Sequence, residues 1–221
     1  AVASNFAPSM KQIAQQFEQQ TGHKVIISIG STGKHYAQIQ HGAPFDVFFA
    51  ADSKRPLLLE QSGVAIKGSR YTYAVGKLLL WSPQLGLVDN QGSILSQGDY
   101  QFLSIANPKL APYGQAAKET LIQLGLWKGL KAKMVRGENI GHAFQYVKSG
   151  SAQLGFIAES QVTQPGQAIK GSFWRVPETA YQPILQQAVR LTQSSVAKEF
   201  LAFTKTADIM KLIRQFGYQT S

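Results

Sequence analysis

The chain has 221 residues, 44% hydrophobic and 15% charged, and its 22 Lys plus Arg against 12 Asp plus Glu give a formal net charge of +10. That is a globular composition, long enough for one large domain or two lobes, and not a disordered one. Absence of cysteine excludes disulfides, thiolate catalysis and Cys-type zinc sites, and no apolar run approaches the roughly 18 residues that span a bilayer.

The first segment, AVASNF, reads as the end of a strand and lacks the basic region and long apolar core of a signal peptide. An export signal plus a few strand residues is therefore expected to have preceded Ala1. Pro8 stands at a first-turn position, and Met10, Ile13, Ala14 and Phe17 are spaced for one buried helical face ending near Thr21-Gly22. A second strand is predicted at Lys24 to Ile29, followed by a Gly30 to Gly33 turn and a helix through His41. In this stretch, VIISIGSTGKHY, a β-branched run stops at a small polar turn that opens a helix. The first N–H groups of a helix have no intrahelical partner and carry its positive dipole end, so such a turn is an anion seat.

FDVFFAA, from Phe45, predicts a strand in a parallel sheet covered on both faces. Asp52 and Ser53 offer an N-cap to a helix bearing Leu57, Leu58 and Leu59. RYTYAVGKLLLWSP, Arg70 to Pro83, is too long for one ordinary strand and carries Gly76 at its middle, which suits a crossing between two lobes. A strand at Phe102 to Ala106, a loop holding Pro112 and Gly114, and a helix at Gln115 to Leu124 follow. Next come a strand at Lys133 to Arg136, a Gly137-Glu138-Asn139 turn, a helix at Ile140 to Lys148 and a strand at Ala152 to Ala158. Tyr181 to Thr192 is the return crossing, and a helical end carries Val196, Phe200, Phe203, Ile209, Leu212 and Ile213 inward before Gly217-Tyr218. The pattern predicts an α/β chain with parallel sheets, a discontinuous first lobe of 1–77 plus 187–221 and a second lobe of 78–186.

Known phosphate and hydrolase motifs are absent. Gly33-Lys34 fails as a P-loop, because Ser28 stands where the leading glycine belongs and His35 where Ser or Thr is required. Neither a G-x-G-x-x-G fingerprint nor a G-x-S-x-G elbow is present. His23, His35, His41 and His142 have no partner at metal-binding helical spacing and are expected at the surface. Asp46 and Asp52 suit a strand end and a helix cap better than a carboxylate pair. The basic residues are scattered, and the densest group, Lys128, Lys131, Lys133 and Arg136, has no aromatic interleaving beyond Trp127. A solvated basic face is expected, not nucleic-acid binding, and its field speeds the arrival of an anion. The four strand-to-helix turns stay open between two readings: plain loops, or neutral donors around a dianion in a cleft.

Several stretches decide between them: SNFAPSMKQIAQQF, GSTG with YAQIQHGAPFDVFFAAD, RYTYAVGKLLLW, ANPKLAPYGQAAKETLIQLGLW, ENIGHAF, SAQLGFIA and the closing FGY. Together they resemble the periplasmic molybdate-binding proteins of ABC transporters. The resemblance implies the type II periplasmic-binding-protein fold, two-lobed with two crossing strands as hinge. It implies a periplasmic carrier, not an enzyme, that binds molybdate or tungstate in the interlobe cleft and delivers it to a membrane permease. No cofactor and no protein-coordinated metal cation are implied, and the chain is expected to act as a monomer. The implied oxyanion ligands are Ser4 and Asn5, Thr32 by amide and hydroxyl, and the backbone N–H groups of Tyr113 and Ile140. Ala158 stands where some members carry a tyrosine donor; Asn5 and Thr32 stand where others have serine. Alternatives are a sulfate or other tetrahedral-oxyanion relative, or a transferase on the same scaffold, for which only Glu138 and His142 lie near a turn. Removing the Thr32 hydroxyl is expected to weaken anion binding without changing ligand-free stability.

Overall fold

The computed structural model describes residues 1–220 and divides into two compact units, Ala1–Gly76 with the chain from Leu185 onward, and Lys77–Ile184. The first unit opens with β1 (Val2–Ala3), a 3₁₀ turn at Ser4–Phe6 and α1 (Ala7–Thr21), which stops at Gly22 in the left-handed region, φ 74°. It continues through β2 (Ile29–Gly30), α2 (Thr32–Gln40), β3 (Val47–Ala50), α3 (Lys54–Gln61) and β4 (Tyr71–Gly76). The second unit holds β5 (Leu78–Ser82), α4 (Ile94–Gln97), β6 (Leu103–Ala106), α5 (Pro112–Gln123), β7 (Met134–Gly137), α6 (Ile140–Lys148), β8 (Leu154–Ala158) and β9 (Ser172–Arg175). The chain then returns with β10 (Ile184–Arg190) and ends in α7 (Ser195–Phe203) and α8 (Ala207–Gln215).

Each unit is built on one five-stranded sheet, in the orders β2-β1-β3-β10-β4 and β7-β6-β8-β5-β9. The α/β class holds, but the sheets are mixed. β1 runs parallel to β2 and β3, and β6 parallel to β7 and β8, whereas β10 is antiparallel to β3, and β5 to both β8 and β9. A run of apolar residues reports burial on both faces and not strand direction, so the parallel expectation overreached. In β3, Val47 and Phe49 pack with α1, α7 and α8, while Phe48 and Ala50 face the cluster containing Ile39 of α2 and Leu59 of α3. The two-residue alternation of a strand thus feeds two layers of helix.

Other expectations need correction. The strand predicted at Lys24 to Ile29 shrinks to Ile29–Gly30: the Val25 amide donates to Glu18 Oε1 instead of a strand, and Ile26 is 88% exposed. The predicted long strand at Arg70 to Pro83 is two strands, β4 and β5, on either side of Lys77 and in different sheets. The α5 helix begins at Pro112, three residues before its predicted start. Leu59 is buried, but Leu57 and Leu58 are partly exposed. His35 is no surface residue. It is 2% exposed, edge-on to Phe45 and Phe48 with ring centroids 5.6 and 6.3 Å away, its Nδ1 3.2 Å from Gln38 Oε1.

Candidate anion-binding site

The ends of the parallel strands carry the predicted ligands. β1 and β2 lie in register, Val2 beside Ile29 and Ala3 beside Gly30, so Ser4-Asn5 and Ser31-Thr32 leave the same edge of the first sheet together. The second sheet repeats the arrangement: β6 and β7 pair from Leu103 with Met134 to Ala106 with Gly137, and the Asn107 amide donates to the Gly137 carbonyl at 2.7 Å. Beyond those ends start α5, with Tyr113 as its second residue, and α6, with Ile140 as its first. Ligand seats at the carboxyl ends of strands, where connections leave in opposite directions, are a general property of open α/β sheets.

α2 and α6 begin alike. The N-cap Ser31 hydroxyl accepts from the Lys34 amide at 3.3 Å, and the N-cap Asn139 Oδ1 from the His142 amide at 3.0 Å. Each cap satisfies the third amide of its helix, so the first residues, Thr32 and Ile140, present theirs at the positive end of the helix dipole. In α5 proline takes the first position, where a missing N–H costs nothing, and Tyr113 supplies the first amide. Gly114 is demanded by space: a Cβ there would lie 2.3 Å from the Ala106 carbonyl oxygen, so the helix start sits directly on the end of β6.

Four of the five predicted ligands are buried, and Ser4 is partly exposed. Asn5, Thr32 and Tyr113 are each 1% exposed, and Ile140 is 3% exposed. The Thr32 hydroxyl accepts the Ala51 amide at 3.0 Å, which aims its own proton away from β3. Asn5 is held from the side: its Nδ2 donates to Gln186 Oε1 at 2.8 Å and to the Tyr218 hydroxyl at 2.9 Å, and that hydroxyl donates to the Asn5 carbonyl at 2.9 Å. The carboxamide N–H groups are thus engaged within the first unit. In the second unit the Ala158 amide donates to Gln161 Oε1 at 2.9 Å, and Gln161 Nε2 to the Ile140 carbonyl at 3.0 Å, bracing the start of α6. Ser4 is at the first position of its 3₁₀ turn.

The remaining candidates have structural partners. Asp52 caps α3 through the Arg55 amide and pairs with the Arg55 guanidinium, while Asp46 accepts the Thr192 hydroxyl at 3.0 Å. His142 is exposed on α6. Sequence reasoning missed Gln186, Tyr73 and Tyr218. One signal was present: a Gln-Gln pair inside the apolar run of YQPILQQAVRLT, where Gln186 is fully buried.

Comparison with known proteins agrees with this geometry. A family model described as bacterial extracellular solute-binding protein matches residues 1–219. The chain is 50% identical to the molybdate-binding protein ModA of Azotobacter vinelandii over 99% of this chain and 88% of that one, and 43% identical to that of Rhodobacter capsulatus over 100% and 87%. The solved Azotobacter vinelandii periplasmic molybdate-binding protein superposes with a TM-score of 0.96 at 43% identity, covering 100% of this chain and 98% of that one. The chain therefore belongs to the bacterial extracellular solute-binding proteins and has their two-unit α/β fold.

Proposed function

We propose that the protein captures molybdate or tungstate outside the cytoplasmic membrane and hands it to the permease of an ABC transporter, acting as a monomer and without catalysis. The observation that carries this reading is the matched pair of capped helix starts, Thr32 on α2 and Ile140 on α6, in a chain half identical to a molybdate-binding protein. The proposed donors are Ser4, Asn5 and Thr32 in the first unit and Tyr113 and Ile140 in the second. Among the described residues no helix is long and apolar enough to cross a membrane.

Neutral donors suit a carrier, because a dianion held by amides and hydroxyls meets no fixed counter-charge and is released without breaking an ion pair. They also reject protonated phosphate: an all-donor site leaves the phosphate O–H unpaired, at about 1–3 kcal/mol. Sulfate has the same charge and hydrogen-bond demand, so cavity size separates it from the larger oxyanions. Calorimetric titration with molybdate, tungstate, sulfate and phosphate tests the reading. Tight binding of the first two supports it; tight sulfate binding with no molybdate response overturns it. Light scattering with and without molybdate tests the monomer.

A further inference from the structure

Asn5 and Tyr73 meet on one acceptor, Gln186 Oε1, at 2.8 and 3.0 Å. Tyr73 Oη also lies 3.1 Å from the carbonyl of Ala50, the residue before Ala51, whose amide binds the Thr32 hydroxyl. Tyr218 closes the group through its two contacts with Asn5. These polar atoms sit deep in an aromatic cluster: Gln186 and Tyr73 have no exposed surface, and Phe6 packs 4.5 Å from the Tyr73 ring and 5.6 Å from the Tyr218 ring. A buried polar network gains little over a well-packed apolar core and is costly when any member loses its partner. Its retention at this place calls for a role beyond packing.

We propose that Gln186 is a positioning residue for oxyanion binding. It turns the Asn5 carboxamide inward, so that the Ser4-Asn5 turn presents backbone amides to the anion. Through Tyr73 and Ala50 it also steadies the chain that orients the Thr32 hydroxyl. Gln186 is the second residue of the first unit after the chain leaves the second, so the strand that returns the chain also sets two of the ligand-bearing turns. This rests on the reading of Ser4, Asn5 and Thr32 as oxyanion donors.

The test is a double-mutant cycle on the full chain, with molybdate affinity measured by calorimetry and folding checked by circular dichroism at the same temperature. Gln186→Leu is expected to weaken molybdate binding about tenfold, the orientation value of roughly one hydrogen bond. Asn5→Ala is expected to weaken it similarly, and the double variant no further, because both act through one contact. Unchanged affinity in folded Gln186→Leu, or losses that multiply in the double variant, overturns the proposal while leaving molybdate binding by the parent chain intact. Absence of molybdate binding by the parent chain instead overturns the function on which the proposal rests. If Gln186→Leu does not fold, Tyr73→Phe keeps the ring and deletes the hydroxyl: weaker molybdate binding supports the proposal, and parental affinity overturns it.

Discussion

The Thr32 hydroxyl accepts the Ala51 amide at 3.0 Å, and both residues are 1% exposed. One oxygen thus links the start of α2 to the end of β3, its lone pair serving the fold while its proton is the one proposed for the ligand. Thr32→Val, nearly equal in volume, should cost roughly 1.5–3 kcal/mol of oxyanion affinity by calorimetry. It should also lower ligand-free stability by about 1–3 kcal/mol in denaturant titration, because a buried amide loses its acceptor. The sequence-based expectation of unchanged stability without ligand is revised on this contact. Thr32→Ser should retain both properties.

Gly114 leaves no room for a side chain against Ala106. Gly114→Ala must push the start of α5 off the end of β6, at roughly 1–3 kcal/mol of stability. Because the displaced element carries Tyr113, affinity should fall as well. Thermal unfolding followed by calorimetry reads both effects, and an alanine variant with parental values would refute the close fit.

Ile140 opens α6 after Asn139, whose extended φ of −138° and ψ of 174° suit a residue that precedes proline. Ile140→Pro should therefore leave the helix in place and delete one of the proposed donor amides. Some stability falls with the lost apolar burial, but helix content by circular dichroism should persist while molybdate affinity drops. Parental affinity in a folded variant would strike Ile140 from the donors.

The net charge of +10 is distributed over the chain and absent from the five proposed donors. Salt should therefore slow association and leave dissociation nearly untouched. Stopped-flow tryptophan fluorescence, reporting from Trp81, Trp127 or Trp174, separates the two rates across a salt series. A dissociation rate that rises steeply with salt would instead place a formal charge in contact with the anion.

Burial holds His35 below its ordinary value of 6.5, with the charge of the N-terminal amine and, less, that of Lys34 adding to the effect and the Gln38 contact opposing it. The unfolded chain binds this proton more readily than the folded one. The stability that rests on this group is therefore intact above pH 6.5 and is lost as pH falls below it, until the folded histidine itself titrates. In His35→Gln, the fall in denaturation midpoint between pH 7 and pH 5 should be shallower than in the parent.

What was legible in the sequence was local. The Gly22 stop and the exact extent of α6 follow from caps, glycine and apolar spacing, which act over a few residues, whereas α2 begins at Thr32, inside the turn predicted at Gly30 to Gly33. The start of α5 was obscured because Pro112 and Gly114 look like loop residues; proline is at home in a first turn, and Gly114 answers to a strand elsewhere in the chain. Ile26 and Val25 have strand character, but the Val25 amide finds its partner on the Glu18 side chain, a contact no periodicity reveals. The four turns proposed to bear the ligand were visible as strand-to-helix joints. The Asn5, Tyr73, Gln186 and Tyr218 network was not, because its members are separated by up to 213 residues and meet only when the sheet is assembled.

The place of β10, between β3 and β4, has a consequence for assembly in time. The second unit is contiguous, and all five strands of its sheet are available once Ile184 has emerged. The first sheet lacks an interior strand until Arg190 arrives, and until then β4 has no neighbour to bond along its length. A chain released from its N-terminus onward therefore finishes its middle before its beginning, and the turn at Asn5, which emerges before Tyr73, Gln186 and Tyr218, acquires its lasting shape among the last.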